Sequence, residues 1–173
     1  TNKWSLYHNN GAGALVAFDN ANNAERLRID SGGRLLIGQT SGLDLYANGL
    51  LQVSATSGTA AISVTRWSDN GSSPYINLGK SRGAIGAYTI VQDGDRLGQI
   101  NFTGADGTDL ASHAASIAAY VDGTPGSNDM PGRIVFATAS DGGAAETERM
   151  RIVSDGVVNI GVTSPQYAKP VNI

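Results

Sequence analysis

The chain contains no cysteine. That absence removes disulfides, thiol catalysis and thiolate metal sites, and leaves the cellular compartment open. Aromatic residues make up only 6 % of 173 residues, so any core is lean and built of small aliphatic side chains. Basic residues are outnumbered, 12 Lys and Arg against 15 Asp and Glu. The net charge of −3 leaves no basic stripe, so no nucleic-acid partner is expected. No hydrophobic run approaches the roughly 20 residues of a membrane-spanning helix, and no signal peptide opens the chain; membrane insertion is not expected. His8 and His113 are the two histidines, and neither has a second ligand two to four positions on, so no metal is expected. G-x-S-x-G, P-loop and HExxH motifs are missing, and Gly11-Ala-Gly13 reads as a loop, because no third glycine or helix pattern follows. No cofactor and no enzymatic activity are expected. The chain begins at Thr1 rather than Met, as a fragment or a processed product does.

What is present in excess is glycine, 23 residues, placed beside Asp, Asn, Ser and Thr where turns are made. One stretch occurs twice. Residues 25–41 read ERLRIDSGGRLLIGQTS and residues 148–164 read ERMRIVSDGVVNIGVTS, one copy falling on the other at a shift of 123 positions. Each copy holds two short runs of alternating apolar residues around a Gly-containing centre, the pattern of a β-hairpin. Parity selects the turn. A two-residue Asp155-Gly156 loop would set Ile152 opposite Asn159 and mix polar with apolar on one face. A three-residue loop, Ser154-Asp155-Gly156, pairs Ile152 with Val158 and Met150 with Ile160, and places glycine at the left-handed position. The same count in the first copy pairs Ile29 with Leu35, Leu27 with Ile37, and Asp30 with Arg34. Leu27, Ile29, Leu35, Ile37, Met150, Ile152, Val158 and Ile160 are therefore the candidate core or assembly face. Four aliphatic side chains do not offset the backbone freedom lost by ordering such a hairpin, so the face must lie against another element or another chain.

Read in order, residues 4–8 and 14–18 predict two strands feeding the first hairpin. Residues 43–53 and 60–67 predict two more, separated from residues 75–79 by a loop. At 98–102 and 132–136 the chain repeats Gly-x-Ile-x-Phe with a shift of 34, each Ile and Phe on one face. Between them, residues 115–121 alternate as a strand, with one helical turn expected near Leu110. These strands and the second hairpin make an antiparallel meander. The fold class is all-β, short antiparallel hairpins and meander repeats. Three segments are expected: residues 1–42, ending in the first hairpin; 43–165, ending in the second; and 166–173, the start of a further unit or a tail.

The phrases SPYINLGKSRG (73–83), VQDGDRLGQINFTGADGTDL (91–110), AYVDGTPGSNDMPGRIVFAT (119–138) and ERMRIVSDGVVNIG (148–161) resemble the repeats of bacteriophage tail fibres and tailspikes. They are similar to regions that often precede a C-terminal self-cleaving intramolecular chaperone. That domain's catalytic residues are not found in this sequence, so its activity does not carry over. The resemblance implies an intertwined homotrimeric β-fibre on the virion, engaged in host attachment through a cell-surface glycan or protein receptor. Two other readings stay open: a polysaccharide-binding or polysaccharide-degrading spike, and a bacterial surface adhesin or bacteriocin fibre.

The chemistry on offer is sparse. Twelve Asp against three Glu, with Asp before Gly at 93, 106, 122, 141 and 155, is turn chemistry. Asp93/Asp95 and Asp106/Asp109 are the carboxylate pairs from which a glycosidase or a cation site would be built, and neither continues into a calcium-loop pattern. Trp67 and Tyr75 flank one loop and are the candidate glycan contacts.

Overall fold

A computed structural model describes residues 3–43, 45, 49–143 and 145–161. The further unit or tail expected at 166–173 lies outside the described residues. The chain forms two compact units, Thr1–Tyr75 and Ile76–Ile173, and the repeat boundary read at 42/43 falls inside the first.

The first unit is one sheet in chain order: β1 (Trp4–Asn9), β2 (Ala14–Asp19), β3 (Ala24–Ile29), β4 (Leu35–Ile37) and β5 (Leu51–Val53). All pairs are antiparallel except β4 with β5. The second unit is an antiparallel meander of β6 (Arg96–Thr103), β7 (His113–Val121), β8 (Gly132–Ala139), β9 (Glu146–Ile152) and β10 (Val158–Ile160). No helix occurs among the described residues.

Both repeated hairpins take the register that parity selects. Ile29 faces Leu35 and Leu27 faces Ile37; Ile152 faces Val158 and Met150 faces Ile160. The last ladder bonds, Asp30 N–H to Arg34 carbonyl and Val153 N–H to Val157 carbonyl, close three-residue loops. Gly33 and Gly156 stand at positive φ in these loops, 76° and 86°. Arg34 also reaches Asp30 across the loop, 2.7 Å from its carboxylate, as the cross-strand charge pair requires.

Two expectations fail. No helical turn forms at Leu110, because Asp106 accepts from the N–H groups of Thr108 and Asp109 and from the Ser112 hydroxyl, and Asp109 takes the Ala111 N–H. Those bonds compete with a helical ladder. Residues 60–67 are exposed and join no strand of either sheet. Their alternation was legible, but a strand exists only where a partner supplies a ladder.

Candidate functional site

The repeat motif fixes more than a hairpin. In a regular strand, residues three apart point to opposite faces. Glu25 and Arg28 are three apart and yet form a two-pronged ion pair, Nε to Oε1 at 2.6 Å and Nη2 to Oε2 at 2.7 Å. A β-bulge makes this feasible: Phe18 faces Glu25 and Ala17 faces Leu27, leaving Arg26 as the extra residue. The second copy does the same. Ala137 faces Glu148, Phe136 faces Met150, Arg149 is extra, and Glu148 holds Arg151 through both guanidinium branches. The bulged arginine's carbonyl then accepts from the glycine that ends the motif, Gly38 N–H to Arg26 at 3.2 Å and Gly161 N–H to Arg149 at 2.8 Å. Each pair raises its arginine above the ordinary value, the carboxylate hydrogen bond being the main cause for Arg28 and for Arg151. Side chains of both pairs are largely covered.

These pairs lie on the less exposed face of each sheet. In the first unit this face carries Val16, Leu36 and Gln52 beside Arg28, with Tyr7 against Phe18 at 6.3 Å. In the second it carries Gln99, Ala118, Val135, Arg151 and Asn159 in one row across all five strands. Long polar side chains roof its small ones. Glu146 accepts from Ser116 Oγ at 2.8 Å and lies 3.6 Å from His113, and the Arg96 and Arg133 guanidiniums stand 5.4 and 5.0 Å from the Tyr120 ring centre. A shallow cleft of about 390 Å³ remains between them.

The opposite faces are apolar and open, so the polarity of both sheets is inverted. In the second unit Ile100, Ile117, Phe136, Met150 and Ile160 form one unbroken row over five strands, with Ala119, Ile134, Ile152 and Val158 beside it. In the first unit Leu6, Ala17, Leu27, Ile37 and Val53 form the matching row, flanked by Leu15, Ile29, Leu35 and Leu51. Leu6 is 72 % exposed and Ile160 74 %. All eight hairpin residues singled out from the sequence stand on these faces, and the two Gly-x-Ile-x-Phe strands extend one of them. Ordinary soluble domains do not leave apolar surface contiguous over a whole sheet.

The remaining candidates fall elsewhere. Trp67 and Tyr75 are 94 % and 70 % exposed, and no ring contact joins them among the described residues. Asp95 is clamped by Arg82, Nε to Oδ2 at 2.6 Å, and this with the Gln92 N–H holds its carboxyl far below the usual range. Asp93 caps the Gly123 N–H at 2.9 Å, and Asp155 caps Val157, so these aspartates serve turns. His8 lies 2.5 Å from the Asn10 side chain. No cluster of three metal-ligating side chains occurs among the described residues. The bulged ion pair and the Arg96–Tyr120–Arg133 group escaped sequence reading. The signal for the first was present, since a Glu and an Arg repeated three apart inside a strand contradict its period of two.

No family model matches the chain, and no curated protein matches it. Among solved structures it is similar to the carboxy-terminal domain of the bacteriophage T5 L-shaped tail fibre, with a TM-score of 0.69 at 15 % identity over 99 % of this chain and 80 % of that one. It is also similar to that domain carrying its intramolecular chaperone domain, with a TM-score of 0.74 at 15 % identity over 99 % of this chain and 56 % of that one, so it spans little more than half of the longer chain. All-β, with two sheets of mostly antiparallel strands, the protein shares its fold with a bacteriophage tail-fibre domain.

Proposed function

We propose that this chain is a structural module of a bacteriophage tail fibre, that three copies assemble around their apolar sheet faces, and that the assembly takes part in host attachment. The observation that carries the reading is the inverted polarity of both sheets. A single sheet that roofs its charged face with its own side chains and leaves five strands of Ile, Leu, Phe and Met open is built to be covered. Copies of one chain supply that cover symmetrically, and three is the stoichiometry that the resemblance to tail fibres implies. The role is mechanical and multivalent rather than catalytic: identical arms hold weak contacts together so that avidity exceeds single-site affinity. Trp67 and Tyr75, both solvent-facing, are the residues offered to a host glycan.

The test uses the encoding phage. Antibodies raised against the folded chain should decorate its tail fibres and block adsorption, and Trp67→Ala/Tyr75→Ala phage should adsorb at least about tenfold more slowly, a loss of roughly 1.4 kcal/mol. Undecorated tails would contradict the structural role. Unchanged adsorption by the double variant would remove these two residues from the contact.

A further inference from the structure

Residues 68–74, Ser-Asp-Asn-Gly-Ser-Ser-Pro, form an exposed loop that joins no strand of either sheet. At its centre Asn70 precedes Gly71, and donors converge on the Asn70 side-chain oxygen. Oδ1 accepts from the Ser72 N–H at 3.0 Å, from Arg66 Nη2 at 3.3 Å and from the Ser68 hydroxyl at 3.3 Å. A backbone N–H and a guanidinium only donate, which fixes this atom as the oxygen. Arg66 Nε also donates to Ser68 Oγ at 3.0 Å, so the hydroxyl keeps its own proton for Asn70. The rest of the dipeptide is unheld. Among the described residues the Asn70 Nδ2 and the Gly71 N–H donate to nothing. The space beside Gly71 is open, since a β-carbon there would meet no described atom within 4 Å.

These are the parts of an acyl transfer: a carbonyl whose oxygen is held by donors, a nitrogen free to attack it, and an amine free to leave. We propose that Asn70-Gly71 is a self-modification site, at which Arg66, Ser68 and the Ser72 N–H promote conversion of the asparagine into aspartate and isoaspartate. The Gly71 amide nitrogen gives its proton to solvent and attacks Asn70 Cγ. As the N–Cγ bond forms, the carbonyl electron pair moves onto Oδ1, where the three donors meet the developing charge. The Cγ–Nδ2 bond then breaks, Nδ2 takes a proton, and ammonia departs from a cyclic succinimide. Water opens that ring at either carbonyl, so one water is consumed for each ammonia released. The neighbouring guanidinium favours the carboxylate that results.

The same dipeptide at Asn10-Gly11 supplies a comparison within the chain. Asn10 Oδ1 meets His8 Nδ1 at 2.5 Å, and its turn is closed by the Asn9–Ala14 pair and by the Ala12 N–H on the Asn9 carbonyl at 3.1 Å. Flanking ladders resist the backbone rotation that ring closure needs. A third pair begins at Asn48, outside the described residues. Conversion at residue 70 adds a negative charge, and isoaspartate adds a methylene to the main chain, between Trp67 and Tyr75. The contact pair offered above thus changes with the age of the protein, although the chemistry does not depend on that reading.

The experiment ages the folded chain at neutral pH in oxygen-18 water and maps its peptides by mass spectrometry, with electron-transfer fragmentation to separate isoaspartate from aspartate. Residue 70 should become labelled aspartate and isoaspartate well ahead of residue 10. Arg66→Ala and Ser68→Ala, both at exposed positions, should each slow residue 70 by about three- to tenfold, the worth of one hydrogen bond, and leave residue 10 unchanged. In the urea-denatured chain the difference between wild type and variants should vanish. Intact Asn70 after Asn10 has converted would overturn the proposal. So would aspartate without isoaspartate, which marks direct hydrolysis, and so would equal rates in the wild type and both variants. A difference that survived denaturation would belong to local sequence and would overturn it too. All these outcomes are product masses, so none of them bears on assembly or attachment, and adsorption unchanged in Trp67→Ala/Tyr75→Ala phage leaves this chemistry standing.

Discussion

At the scale of single residues, the informative positions are charged ones that the sheet has pulled inward. Arg28 and Arg151 alternate with the apolar residues of their strands, a position that in a plain strand looks away from the apolar face. The bulge changes this, because it turns each arginine toward a carboxylate three residues away. Truncating Arg28 leaves Glu25, whose side chain is 8 % exposed, without its partner. We expect Arg28→Ala to lower unfolding free energy by about 1.5–3 kcal/mol, measured by urea denaturation, with Arg151→Ala similar and an exposed control such as Ser31→Ala near zero. The aspartates give a second check. Asp19 is held down by the side chains of Asn22 and Arg26, Asp30 by the Arg34 N–H, Asp106 by Ser112, and Asp95 by Arg82. Asp122 is pushed up by burial, but Ser154 and Arg133 outweigh that and leave it low. A carboxyl depressed in the fold adds stability above its unfolded value, about 3.9, and loses that contribution as pH falls through its folded value. Stability should therefore be flat between about pH 5 and 7 and fall steeply below about pH 4, with a shallower fall in Asp95→Asn. A decline that began near neutral pH would contradict this assignment.

At the scale of elements, the hairpins were legible because two constraints coincide in them. Alternation fixed which residues share a face, and the glycine at the left-handed position fixed the loop length, so register followed without any tertiary information. The strand at 113–121 was legible through its alternation despite its alanines. The expected turn of helix was not, because short aspartate bonds decide residues 106–112 and no period reveals them. Nor does local pattern tell whether a strand finds a partner, which is why residues 60–67 read as a strand and yet stand outside both sheets. The parallel return of β5 beside β4 likewise depends on contacts distant in sequence, where Ser54 N–H meets the Ile37 carbonyl at 2.9 Å. That return separates the two motif-ending glycines. Both have positive φ, but a β-carbon on Gly38 would sit 2.0 Å from the Ser54 carbonyl oxygen, whereas one on Gly161 meets nothing within 4 Å among the described residues. Gly161→Ala should cost about 1–2 kcal/mol for the left-handed backbone alone. Gly38→Ala should cost more and should free the amides of β5 to exchange. Equal losses would mean that β5 does not pack as described.

At the scale of the whole molecule, two sheets with one motif each repeat the same inversion, charge roofed over and aliphatics exposed. That each hairpin carries an apolar face in need of cover could be read from the sequence, from its four aliphatics. Its extent could not, because it depends on Ile100, Ile117 and Phe136 falling into register with Met150 and Ile160 across strands tens of residues apart. A lone chain with these faces open would aggregate or bind whatever it met, so the account stands on defined self-assembly. Ile152→Asp and Ile160→Asp place a charge in the middle of that surface and at its margin, and each should abolish the assembly, while Ser31→Asp in an exposed turn should not. The decisive measurement is the solution mass of the folded chain by light scattering at micromolar and lower concentration. The account predicts one species at three times the 17.8 kDa of a single chain, collapsing to smaller species in Ile152→Asp. A stable, cooperatively folded species of 17.8 kDa would contradict it.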